Sequence, residues 1–179
     1  MYEVLYADPC WDYDGREQHN TKTANKSVKH HYNTIKTDTL KTLDVASITA
    51  PNAVLFLWTS SPHLDQAIDL MKAWGFAYKT IAFVWDKQKV NPGYYTMSQC
   101  EICLVGKKGT IPTPRGSRNE RQFLSEMRGR HSAKPTEIRK RIERMFPTQK
   151  KLELFAREKI DGWDVWGNEV EGSIPIRWG

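Results

Sequence analysis

Ala53-Val54-Leu55-Phe56-Leu57-Trp58 is an unbroken apolar run of strand length. Successive side chains of a strand point to opposite faces, so both faces of this segment are apolar. Both therefore need a cover, as in a central strand of a sheet with packing on each side. Four further segments read as strands: Val4 to Ala7, Tyr78 to Trp85, Cys100 to Val105, and Lys151 to Ala156. Helical stripes lie between them. Ser61 is placed to cap a helix with Pro62 at its first position. Leu64, Ile68, Met71 and Trp74 form its apolar face, and Gly75 ends it. Lys134-Pro135-Thr136-Glu137 opens a second helix with Ile138, Ile142 and Met145 inward, stopping before Pro147. Leu40, Leu43 and Ile48 recur at near-helical spacing before Pro51. Strands alternating with helices predict an α/β fold with helices on both faces of the sheet. The 179 residues fit one domain, 1–179, with a real core.

The first strand runs into Asp8-Pro9-Cys10-Trp11. This places a carboxylate, a rigid turn and a flat ring at the carboxyl edge of the sheet, where open α/β folds bind ligands. Asp8 can accept hydrogen bonds from an amino group, and the Trp11 indole can stack on a planar base. The plainer reading is a strand that stops at a proline, with Trp11 in the core. No G-x-G-x-x-G and no P-loop is present, so dinucleotide and nucleoside-triphosphate sites of those kinds lack support.

Formal net charge is +6, which suits an anionic partner. Its distribution is more informative. Between Lys107 and Arg130 stand seven basic residues (Lys107, Lys108, Arg115, Arg118, Arg121, Arg128, Arg130) against Glu120 and Glu126. An Arg-rich loop of this kind is the footprint of phosphate contact, or else a solvated surface. Two long loops are expected, 12–36 and 107–130, the first carrying His30-His31 as surface histidines rather than metal ligands. Tyr94 and Tyr95 follow an Asn-Pro-Gly turn and either line a cleft or pack under it. The chain has three cysteines and opens straight into a strand with no signal peptide, which predicts a reducing compartment. Cys100 and Cys103 fall three apart in a strand, face opposite sides, and are expected in the core rather than on a metal.

Several separated stretches jointly resemble one family. They are YADPCW (Tyr6 to Trp11), AVLFLWTS (Ala53 to Ser60), the AWGF-then-FVW run (Ala73 to Trp85), GYYT (Gly93 to Thr96), HSAKP (His131 to Pro135), LELFAR (Leu152 to Arg157) and GWDVWGNE (Gly162 to Glu169). Together they resemble the adenine-N6 methyltransferases of the DPPW type, the MT-A70 family, in a small form like its bacterial and phage members. The resemblance implies a Rossmann-like fold with a mixed, mostly parallel sheet and a permuted motif order, using S-adenosylmethionine. It implies Asp8, Pro9, Cys10 and Trp11 as the catalytic stretch. It further implies Asp8, Lys134, Glu153, Phe155, Arg157, Asn168 and Glu169 around the cofactor, with LELFAR in place of a glycine-rich loop. Tyr94, Tyr95, Arg115, Arg118 and Arg121 are the candidates for substrate contact, and no metal is expected. The implied partner is nucleic acid, DNA before RNA, with no membrane, a possible homodimer, and the cytoplasm of a bacterial or phage-infected cell as the place of action. A non-catalytic nucleic-acid-binding partner subunit is the alternative. Where the family has a second proline this chain has Cys10, which also raises cytosine-C5 chemistry through an attacking thiol.

Overall fold

In the computed structural model the apolar run lies inside the middle strand of a seven-stranded sheet. Residues 1–11, 35–129 and 133–179 are described. The bulk of the polar 12–36 stretch, with His30 and His31, lies outside them, as do Arg130, His131 and Ser132. The strands are β1 (Tyr2–Ala7), β2 (Thr49–Thr59), β3 (Ala77–Asn91), β4 (Ser98–Lys108), β5 (Phe123–Ser125), β6 (Lys151–Leu154) and β7 (Asp164–Trp166). The helices are α1 (Thr37–Lys41), α2 (Leu64–Ala73) and α3 (Thr136–Met145). Spatial order is β5-β3-β4-β2-β1-β6-β7. β1 pairs in parallel with β2 and β6, as do β6 with β7 and β3 with β5. β4 is antiparallel to both β2 and β3. The sheet is mixed and mostly parallel, the Rossmann-like arrangement expected.

Both faces of β1 and β2 are covered, as their unbroken apolarity requires. Leu5, Ala7, Leu55 and Leu57 pack with Leu40 of α1 and Leu70 and Met71 of α2. Val4, Tyr6, Val54, Phe56 and Trp58 pack with Ile138 and Ile142 of α3. The spacing of Ile138 and Ile142 sets one apolar stripe on α3, and that stripe is the buried one.

Several boundaries move. β2 begins at Thr49, so Pro51 lies in the strand and not after a helix. Ser60, not Ser61, precedes the turn into α2, and its hydroxyl meets His63 Nδ1 at 2.7 Å instead of capping a backbone N–H. The expected loop 107–130 is not one loop. Lys107 and Lys108 belong to β4, and Phe123 to Ser125 form β5 against β3. Cys103 is in the core, whereas Cys100 is exposed.

The core's dependence on β2 is measurable. Phe56→Ala is expected to cost about 3–5 kcal/mol in denaturant unfolding, because it empties a fully buried site. Phe123→Ala, on the exposed edge strand, is expected to change stability by no more than about 0.5 kcal/mol.

Candidate active site

β1 ends level with the carboxyl end of β2 and beside β6. Ala7 pairs with Leu57 on one side and Leu154 on the other. Asp8 is the next residue, so its carboxylate stands at the carboxyl edge, flanked by two strands. Lys134, just ahead of α3, places its Nζ 3.2 Å from Asp8 Oδ1 and 3.6 Å from Glu101 Oε2 of β4. The same ammonium lies 5.5 Å from the centroid of the Trp58 ring. Burial pushes the Asp8 carboxyl above its ordinary value, the Lys134 charge pulls it back, and the Glu101 carboxylate pushes it up again. One cation therefore serves two carboxylates at the strand end.

The turn that carries Asp8 is tied down by its neighbours. Trp11 N–H donates to the Pro9 carbonyl at 3.1 Å, and Ile35 N–H to the Cys10 carbonyl at 3.0 Å. A carbonyl has two lone pairs, so the Pro9 oxygen keeps acceptor capacity. Trp11 Nε1 donates to the Trp58 carbonyl at 3.1 Å, and its ring stacks on buried His63 at 5.9 Å. Trp11 is only 6% exposed, which corrects the expectation of an indole open to a base. Its ring is a pillar under the turn. Trp58 Nε1 donates to the Tyr6 hydroxyl at 2.7 Å, stitching β1 to β2 two residues before Asp8. Cys10 is partly buried, and burial with the Asp8 charge nearby pushes its thiol up, against the pull of Arg157.

Two of the three proposed cofactor stretches meet at this edge. The β1–β6 register brings Phe155 level with Asp8. Phe155 takes a left-handed backbone at φ 61°, unusual for a bulky side chain. It does the turning that glycines would do, and its ring is wedged between Trp74 and Trp166 at 6.5 and 5.4 Å. A Cβ on Gly167 would sit 2.8 Å from Ala156 N, so the exits of β6 and β7 touch at backbone distance. Arg157 reaches Glu169 at 3.8 Å, and Asn168 beside it is exposed. Glu153 is engaged elsewhere, by Arg139 of α3 at 3.1 Å. Lys134 completes the edge from the other side. The donor set fits a ligand bearing a carboxylate, a positive centre and a ribose. Lys134 suits the carboxylate, Asp8 the positive centre, and Asn168 and Glu169 the hydroxyls.

The candidates for substrate contact do not share one surface. Tyr94 and Tyr95 are 71% and 100% exposed at the tip of the β3–β4 hairpin, and neither packs under the turn. Arg115 lies over the Phe146 ring at 4.8 Å, beyond the C-terminal end of α3. Lys134 stands at the other end of that helix. Ten residues at about 1.5 Å each put Arg115 roughly 15 Å below Asp8. Arg118 and Arg121 are exposed on the strip that climbs back along α3, fixed by Arg141 donating to the Arg121 carbonyl at 2.7 Å and by Arg144 on Glu120. Arg115 thus packs on Phe146, away from the Asp8 edge.

Glu101, Arg139 and Trp58 were not singled out from sequence. Glu101 had a signal, as the lone charge in an otherwise apolar strand run. Arg139 had none, because a helix arginine looks alike whether it faces water or a carboxylate.

The MT-A70 family profile matches residues 2–169. The chain is 49% identical over 181 residues to the Type II methyltransferase M.MunI of Mycoplasma sp., covering 94% of this chain and 78% of that protein. It is 30% identical to an N(6)-adenosine-methyltransferase MT-A70-like protein of Arabidopsis thaliana, covering 96% of this chain and 24% of the other. Against the human N(6)-adenosine-methyltransferase catalytic subunit METTL3 identity is 27%, over 96% of this chain and 28% of that one. The chain spans about a quarter of the plant and human proteins.

The Asp8 cluster makes signed predictions. Lys134→Met removes the opposing charge and should move the Asp8 midpoint to higher pH, and Glu101→Gln should move it lower, read by carbon NMR of labelled aspartate. Because the folded value of Asp8 is raised, its contribution to stability is present at pH below about 4 and is lost as pH rises through the folded value. Asp8→Asn should abolish that dependence in unfolding titrations. Arg115→Ala should lower stability by roughly 1–2 kcal/mol through lost packing on Phe146, with nucleic-acid affinity unchanged in a binding titration.

Proposed function

The chain belongs to the MT-A70 family, and from that premise we propose that it transfers a methyl group from S-adenosylmethionine to N6 of adenine in DNA. The observation that carries the reading is the Asp8-Pro9 turn, held at the carboxyl edge between the Lys134 ammonium and the converging ends of β6 and β7.

Adenine's exocyclic nitrogen is a poor nucleophile because its lone pair is delocalised into the ring. Asp8 and the Pro9 carbonyl offer acceptors for its two hydrogens. Taking both favours a pyramidal nitrogen with an available lone pair. Bound S-adenosylmethionine supplies an electrophilic methyl on a positively charged sulfur. Asp8 holds the nitrogen on line and favours the positive charge that develops on it. One proton then leaves the methylated nitrogen, and Asp8 is within reach to pass it to solvent. Lys134, Arg157, Asn168 and Glu169 bind the cofactor, and Phe155 shapes the turn beneath it. Trp11 and Trp58 keep the turn in place. The adenine must leave its duplex to reach this edge.

DNA is favoured because the half-identical relative is named a Type II methyltransferase, while the relatives named for adenosine stand near 30% identity. The cytosine-C5 alternative loses ground at Cys10. A thiol pushed up by burial stays protonated at neutral pH and attacks weakly. A non-catalytic partner subunit is disfavoured by the intact Asp8–Lys134 pair. No helix among the described residues is long and apolar enough to cross a membrane. Action in the cytoplasm follows from the reading as a bacterial-type DNA methyltransferase. Self-association as a homodimer is read directly by sedimentation.

Expression in a methylation-deficient host, followed by mass spectrometry of DNA nucleosides, should reveal N6-methyladenine and no C5-methylcytosine. Asp8→Ala should abolish the mark while calorimetry still detects S-adenosylmethionine binding. Cys10→Pro and Cys10→Ser should both retain activity. C5-methylcytosine, or a covalent enzyme–base adduct, would overturn the assignment.

A further inference from the structure

We propose that Tyr95 is a wedge that enters the DNA stack where the target adenine leaves it. The inference rests on the reading of the chain as a DNA adenine methyltransferase. β2 stops at Thr59, which pairs with Ile102, whereas β3 and β4 run on past it to Asn91 and Ser98. Residues 86–101 therefore leave the sheet as a two-stranded arm on the same edge as Asp8. The arm springs from the site itself. Glu101 stands at its root, 3.6 Å from the ammonium that contacts Asp8. Tyr95 is six residues from Glu101, within about 20 Å if fully extended.

The arm is braced at its root. Asp86 accepts hydrogen bonds from Gln88 N–H at 2.9 Å, Gln99 Nε2 at 2.6 Å and Ser125 Oγ at 2.9 Å. β5 and Glu126 N–H hold the outer side of the same strand. Beyond this braced root the ladder breaks register after Asp86 and closes again at Asn91 and Ser98, just below the tip. The arm carries Lys87 and Lys89, with no acidic residue between Asp86 and Glu101, so it is attracted to a phosphate backbone. At its end Tyr95 is wholly exposed, with Tyr94 beside it. A planar ring held in water beyond a braced root gains nothing in the folded monomer. It gains stacking when a base step opens. Extrusion of a base from a duplex costs unstacking, and a ring filling the gap offsets that cost.

The test uses the full chain and a DNA site first identified from the methylated genome of the expressing host. Two duplexes carry that site, one with the target adenine paired, the other with it opposite an abasic residue. Tyr95→Ala cannot disturb the core, because the side chain touches no part of it. Its kcat/KM should fall by about tenfold or more on paired DNA, and by less than about twofold opposite the abasic residue, where extrusion is already cheap. Tyr95→Trp should retain activity on both. The fluorescence rise of 2-aminopurine at the target on wild-type binding should be lost in Tyr95→Ala. Equal losses on both duplexes, or no loss on paired DNA, would overturn the wedge while leaving the methyltransferase reading intact. A wild-type protein inactive on both duplexes, with no adenine methylated in the host, would overturn that reading and the wedge with it.

Discussion

The constraint on which the structure depends is a carboxylate at the end of a strand buried on both faces. Asp8 is only partly exposed, so much of its charge must be balanced by the protein. A single ammonium, Lys134, does this at 3.2 Å, and it is shared with Glu101. The sharing leaves Asp8 incompletely neutralised, which suits a group that must accept hydrogen bonds from something else. Side-chain bonds around it serve the same end. Trp58 holds Tyr6, Trp11 holds the Trp58 carbonyl, and His63 backs Trp11. The carboxylate is aimed by a stack of aromatic rings rather than by a flexible loop.

Helix α3 links this edge to the rest of the surface. Its buried stripe fixes it to the sheet, which places Lys134 ahead of its first turn. Arg139 points inward to Glu153, and Arg141 and Arg144 point outward to the strip between β4 and β5. Among the described residues the guanidinium hydrogen bonds of these two arginines run to backbone carbonyls and to carboxylates of the helix and strip. Arg144, on Glu120 and Glu137, holds both carboxyls below their ordinary values. Such exposed pairs contribute little stability each. Their effect is geometric, since they lead a basic segment from the amino edge of the sheet back up toward the site.

Antiparallel β4 explains the second working part. A parallel neighbour would have ended its chain at the carboxyl edge and turned away through a helix. β3 and β4, paired with each other, can instead extend beyond the edge, with the pairing resumed at Asn91 and Ser98 after a register break. Asp86 stiffens the point where sheet becomes arm. The sheet edge holds Asp8 and Lys134, and the arm projects beyond it.

Sequence alone determined the parts whose signal is local. Unbroken apolarity in β1 and β2 required two covered faces, and the stripe Ile138–Ile142 oriented α3. Asp8 at a strand end followed from the Asp-Pro turn, and the family motifs pointed to the methyltransferase family that the whole chain matches. The tertiary structure decided what depends on residues far apart in the chain. Burial of Trp11 was settled by Trp58 and His63, about fifty residues away. The Lys134–Asp8 pair spans most of the chain, and no spacing rule reaches that far. The basic stretch read as one loop because charge is counted along the sequence. Folding put Arg115 at one end of α3 and left Arg118 and Arg121 along its side. Hydrophobic periodicity reports how often a side chain returns to the same face of its own element. It carries no record of which partner, of what charge, the rest of the fold will set against that face.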